Sequence, residues 1–181
     1  MSLQDEIDRL RQENVALKER LEQALNLADE DPLVPLLNHR AFVRELKKTI
    51  AYLSRYGGHG AMIFFDVNNF KMVNDTYGHS AGDAVLNHLA GLVGDNIRFS
   101  DFAGRLGGDE FGVVLVQADK DATIAKAELL RSLLADTPCP WKGKLIKAEI
   151  ATGYYIFDGS SNAETIMDRA DQDMYAAKSM L

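Results

Sequence analysis

The chain has 181 residues, 46% of them apolar and 26% charged, enough for one domain with a full core plus an appendage. Its formal net charge of −7 argues against a nucleic-acid polymer as partner, because a phosphate backbone demands a basic face. No run of eighteen apolar residues is present to span a membrane. The first thirty residues lack the apolar stretch of a signal peptide, and Cys139, the single cysteine, forbids an internal disulfide, so a reducing cytoplasm is expected.

Residues 3–28 follow a heptad, with Leu3, Leu10, Leu17 and Ala24 at d and Ile7, Asn14, Leu21 and Ala28 at a. Leucine at d with one Asn at a is the pattern of a parallel two-stranded coiled coil, the Asn fixing register. In that register Glu6 faces Arg11 of a second copy and Glu13 faces Lys18, both attractive pairs. The alternative is a single amphipathic helix lying on the domain. No basic segment precedes the heptads, which excludes a basic-zipper DNA binder. Asp31-Pro32 predicts the end of this helix, since proline disfavours helix in the residue before it.

Residues 32–37, PLVPLL, read as an apolar connector. Asn38 is an expected N-cap for a helix carrying Phe42, Leu46, Ile50 and Leu53. YGGHG at 56–60 is a turn, and AMIFF at 61–65 a buried strand. Val85, Leu86, Leu89, Leu92 and Val93 mark a second amphipathic helix. Residues 102–106 and 110–116 read as strands joined at Gly107-Gly108, where two glycines tolerate the positive φ of a tight hairpin turn. A helix follows over Ala122–Leu134, then a strand-like run from Leu145 to Phe157. The last helix carries Ala163, Ile166, Met167, Ala170, Met174 and Ala177 on one face. Helices and hairpins interleave without a regular βαβ alternation, which predicts an α+β fold, a sheet covered by helices.

Acids occupy unexpected places in this pattern. Asp66 ends an apolar strand, and Asp109 and Glu110 open another. Carboxylates there cost solvation unless they are exposed or paired with a cation, so RLGGDEFGVV at 105–114 is either a solvated hairpin tip or a metal site. Two such tips brought side by side would converge hard oxygen ligands, suited to Mg²⁺ held by one or two carboxylates plus substrate phosphates. Two ions so held activate an attacking hydroxyl and stabilise a leaving phosphate oxygen. Alternation along a strand places Asp109 and Glu110 on opposite faces, which favours Asp109 for the metal. After Asp66, the residues Asn68, Asn74, Asp75, His79 and Asp83 crowd a segment with Gly78 and Gly82. Standing alone, Asn74, Asp75 and Gly78 read as a turn.

GGDEF at 107–111, preceded by Arg105, resembles the signature of the GGDEF diguanylate cyclases. DVNNFKMVNDTYGHSAGDAVL at 66–86 is similar to their upstream motif, DPLVPLLNHRAF at 31–42 to their opening motif, and RADQDMYAAK at 169–178 to their closing helix. The heptads predict a stalk over 1–30, and the resemblance implies a catalytic domain over 31–181. It also implies a mainly antiparallel sheet wrapped by helices, like nucleotidyl cyclases and polymerase palms. Such domains condense two GTP into cyclic di-GMP across a homodimer, using Mg²⁺ (Mn²⁺ being the alternative). By motif position, Asp66, the Val67 carbonyl and Asp109 would hold metal, with Asp109 the general base and Glu110 completing the acidic site. Asn74 and Asp83 would read the guanine edge, and His79 would contact substrate. Lys71 and Lys178 would meet phosphates, cradled by backbone N–H groups near Asn69 and Phe70. Arg98 and Asp101 form an R-x-x-D at the spacing of the family's product-inhibition site. Val34 and Pro35 replace the Thr and Gly of the opening motif, and Asn68 replaces a second Asp. The rival expectation is a non-catalytic receptor for GTP or cyclic di-GMP signalling through the coiled coil. Intact Asp109 and Glu110 favour catalysis.

Overall fold

The structure is a computed structural model that describes residues 6, 7, 9–15, 17, 18 and 29–179. The described residues between 6 and 18 are helical, and residues 29–32, where that helix was expected to have ended, are not. No helix among the described residues is long and apolar enough to cross a membrane.

From residue 29 the chain runs β1 (Leu37–Asn38), α1 (His39–Tyr56), β2 (Gly60–Val67), α2 (Phe70–Tyr77), α3 (His79–Asp95), β3 (Phe102–Gly107) and β4 (Glu110–Val116). It continues with α4 (Lys120–Asp136), β5 (Cys139–Trp141), β6 (Lys144–Ile146), β7 (Ile150–Phe157) and α5 (Ala163–Lys178). The main sheet has five strands in the order β1-β3-β4-β2-β7, and β5-β6 is a separate hairpin. Only β1 and β3 run parallel; the other neighbours are antiparallel. The expected α+β sheet wrapped by helices is present.

Strand alternation divides the core in two. Ala61, Ile63, Phe65 and Val67 of β2 join Phe111, Val113 and Leu115 of β4 on one face, covered by α3 and α4. Phe65 and Phe111 stack with ring centroids 5.3 Å apart. Met62 and Phe64 join Val114 on the other face, under Phe42 and Leu46 of α1 and Ile166, Ala170 and Met174 of α5. Asn38 caps α1 as expected, its side chain accepting from Ala41 N. One transverse row explains how closely these helices approach. Gly104, Gly112, Phe64 and Gly153 are register partners across four strands. A Cβ on Gly112 would lie 2.7 Å from the Phe42 ring, and one on Gly153 would run into the backbone of Ala170 and Met174.

The structure corrects three local expectations. Residues 145–157 do not form one strand: Ile146 closes the β5-β6 hairpin opposite Cys139, while β7 starts afresh at Ile150 beside Val67. The 74–78 segment is no simple turn but the end of helix α2, stopped at Gly78, whose φ of 87° lets α3 start one residue later. Gly107 and Gly108 are absent from the positive-φ glycines, which are Gly57, Gly58, Gly78 and Gly143. A register shift between Arg105 and Gly107 relieves the hairpin of that need.

Candidate active site

The ends of β2 and β4 supply the acids. Asp66 and Glu110 are direct register partners, and Gly107 pairs with Glu110 from the other side. Direct antiparallel partners share a face, so Asp66 and Glu110 both point to the α5 side of the sheet. A Cβ on Gly107 would lie 3.1 Å from Glu110 Oε2, while one on Gly108 would meet nothing within 4 Å. The glycines therefore give the carboxylate room and leave the turn open to a large ligand. Asp109 forms the turn itself, and its carbonyl accepts from Val67 N at 3.3 Å, tying the two strand tips together. Asp109 precedes β4, and tertiary register makes Glu110 the residue that shares a row with Asp66.

From α5, Lys178 Nζ donates to Asp66 Oδ2 at 2.5 Å. The second oxygen, Asp66 Oδ1, is buried without a hydrogen-bond partner. A buried carboxylate oxygen left unpaired is costly, and a cation is the partner it fits. Burial raises the Glu110 pKa above the ordinary carboxylate range, helped by the negative charges of Asp171, Asp109 and Asp66 and opposed by Lys178. This concentration of negative charge also invites a cation. Among the described residues no three His, Cys, Asp or Glu side chains form a ready-made metal group. Asp171 escaped the sequence reading, although it lies two helical turns before Lys178 and hence on the same face.

The turn carrying Asp109 is braced from behind. Arg105 donates twice to the Gly108 carbonyl, at 2.9 and 2.7 Å, and once to Asp31 Oδ1 at 3.2 Å. The same Asp31 oxygen accepts from Leu33 N and Val34 N, closing the connector into a tight loop. Arg105, read from the sequence only as a neighbour of the signature, is thus a structural tie between signature and connector.

Beyond Asp66 the chain turns through Asn69, in the left-handed region with φ 54°, into α2. No side chain caps this helix, which starts at Phe70 and Lys71, and an uncapped helix start attracts anions. Asn74 Oδ1 is buried without a partner and lies against Gly82, where a Cβ would collide with it. Gly82 thus leaves room for Asn74 at the α2–α3 junction, one residue before Asp83 in the chain. Asp83, His79 and Lys71 are exposed on the same pair of helices.

Arg98 and Asp101 lie elsewhere. Asp101 Oδ1 accepts from Val116 N at 3.1 Å and Oδ2 from Arg98 N at 3.2 Å. Val116 is at the far end of β4, about 20 Å from Glu110 at the strand's rise per residue. Asp101 holds its own loop in shape, with Phe99 fully exposed between the pair.

Acids at the strand tips, an uncapped helix start and an unpartnered amide all fall in the segments that resemble the family's motifs. Comparison with known proteins shows the family. Residues 28–180 match the family model described as "Diguanylate cyclase, GGDEF domain", and the chain belongs to that family. It is 34% identical over 177 residues to diguanylate cyclase DgcP of Pseudomonas aeruginosa, covering 98% of this chain and 26% of that protein. It is 36% identical over 149 residues to diguanylate cyclase DosC of Escherichia coli K12, covering 82% of this chain and 32% of that protein. The coiled coil and GGDEF domain of DgcB from Caulobacter crescentus, solved with c-di-GMP, superposes with a TM-score of 0.79 at 26% identity. That match covers 98% of this chain and 95% of that one. The chain therefore spans about a quarter to a third of the length of these curated relatives.

Proposed function

We propose that this chain condenses two GTP into cyclic di-GMP and two pyrophosphates as a homodimer, each subunit presenting one GTP. The observation that carries the reading is the pairing at one sheet end of Asp66, with its unpartnered buried oxygen, and the Asp109-Glu110 turn. In each half-reaction the 3′-hydroxyl of one GTP attacks the α-phosphorus of the other. The bond from that phosphorus to the bridging oxygen breaks, pyrophosphate leaves with the electron pair, and the hydroxyl proton passes to Asp109.

Asp66, the Val67 carbonyl and Asp109 would hold Mg²⁺ or Mn²⁺, with Glu110 completing the acidic wall. Bound there, the cation supplies charge neutralisation for the triphosphate and the leaving group. Lys178 and Lys71 balance phosphate charge, and N–H groups near Asn69 and Phe70 cradle it. Asn74 and Asp83 read the guanine edge: the amide both donates and accepts, and the carboxylate accepts from the base N–H groups. His79, at the start of α3, contacts the substrate from the same side. Arg98 and Asp101, remote from the acids, form a site through which cyclic di-GMP restrains the enzyme. The heptads of residues 3–28 pair in a parallel coiled coil. In support, Leu10 and Leu17 are 51% and 57% exposed in the single chain, apolar surface that a partner helix would cover.

The test is incubation with GTP and Mg²⁺ followed by chromatographic detection of cyclic di-GMP. Wild-type protein should form it, and Asp109→Asn should form at least a hundred-fold less, on the order expected for loss of a positioned base. Ligand binding without product from the wild type would support the receptor reading instead.

A further inference from the structure

Between the connector, α3 and the β5-β6 hairpin lies a cavity of about 450 Å³ lined by Leu33, Asp83, Asn87, His88, Cys139 and Trp141, among others. Asp83 and Asn87 are four residues apart on α3 and therefore share a helix face, one above the other. Asn87 Nδ2 donates to the Leu33 carbonyl at 2.8 Å, a contact across 54 residues of sequence. Leu33 is only partly buried and packs against the core beside α3. Its neighbours in the loop are held by Asp31, which reaches Leu33 N and Val34 N.

The connector thus meets α3 through one side-chain hydrogen bond, one turn from the acid assigned to the guanine. Cut that bond, and the Leu33 wall has no polar tie to the helix it faces. We propose that Asn87 is a positioning residue for the base of GTP: it fixes Leu33 as the wall of the pocket over Asp83. The idea rests on the cyclase reading for the role of Asp83. Asn87 acts before chemistry, on the binding of the base, and touches neither the phosphates nor the acids at the strand tips.

Asn87→Asp is nearly isosteric, removes the donor and sets a carboxylate against the Leu33 carbonyl. Its KM for GTP should rise about five-fold, the loss of one net hydrogen bond, with kcat within two-fold of wild type. The Kd for a non-hydrolysable GTP analogue, measured by calorimetry, should rise equally. Asn87→Gln, which keeps a donor, should recover most of the affinity. Leu33→Ala should weaken binding similarly and add little to Asn87→Asp in the double variant, and it carries the test alone if Asn87→Asp does not fold. Unchanged Kd in Asn87→Asp, or a fall in kcat at constant Kd, would overturn the proposal. Wild-type protein that binds the analogue but makes no product defeats the cyclase reading while leaving these Kd comparisons decisive. Failure of the wild type to bind at all overturns both.

Discussion

Lys178 illustrates how a single side chain can serve two states of the site. With no triphosphate present it neutralises Asp66, and both groups are largely screened from solvent, with 37% and 17% of their side chains exposed. On the proposed cyclase reading, a phosphate arriving between them would offer the ammonium a second anion and free Asp66 to face a cation. Lys178→Met should therefore raise the KM for GTP by about ten-fold, the scale of one charge-assisted hydrogen bond, as steady-state kinetics at fixed Mg²⁺ would show. Equal KM values would mean that the lysine serves only Asp66. Cys139 has a blander explanation. It is buried within the β5-β6 hairpin, burial pushes its thiol pKa up, and nothing couples it to the acids.

At the scale of elements, the site depends on how closely α5 lies on the sheet. Gly153 permits that approach, and Asp173 strengthens it by accepting from Tyr154 N at 2.9 Å, covering a donor on the edge strand β7. Gly153→Ala places a methyl group against helix backbone, which cannot yield as a flexible side chain would. It should cost about 1–3 kcal/mol, read as a lowered Tm, and should also reduce turnover by shifting Lys178 away from Asp66. An unchanged Tm would show that α5 sits higher on β7 than described. Most of the elements were legible in the sequence, because heptads, caps and strand punctuation are local signals. The break before β7 was not, since Lys147 to Glu149 contain neither glycine nor proline. What divides that run is its pairing, with Cys139 on one side of the break and Val67 on the other. The helix α2 was hidden for a related reason: eight residues with Asn74 and Asp75 inside have weak local propensity, and packing against α3 sustains them.

For the whole molecule, the proposed chemistry needs two active sites to meet. A coiled coil would supply that meeting by raising the effective concentration of one GTP-loaded domain before the other. Leu10→Pro with Leu17→Pro should therefore lower specific activity most strongly at low protein concentration, with recovery as concentration rises. Activity independent of both concentration and substitution would exclude the stalk as the dimerising element. The connector is tied to three elements of the domain. Asp29, where the described chain resumes, is held by Arg44 of α1 through paired bonds of 2.8 and 2.9 Å. Asp31 then reaches Arg105 behind the signature turn, and Leu33 reaches Asn87 on α3.

The sequence by itself determined the family, the candidate site residues and the order of nearly every element, because motifs and periodicity are written in neighbouring residues. It placed Asp66, Asn74 and Asp83 as candidates on one segment and Asp109 on another. Only the tertiary structure decided their company. Strand register set Glu110 opposite Asp66, helix packing brought Lys178 and Asp171 over them, and long-range hydrogen bonds tied the connector to Gly108 through Arg105 and to α3 through Asn87. Those relations depend on which strands pair and how closely helices approach, quantities fixed by packing across the chain rather than by any local run of residues.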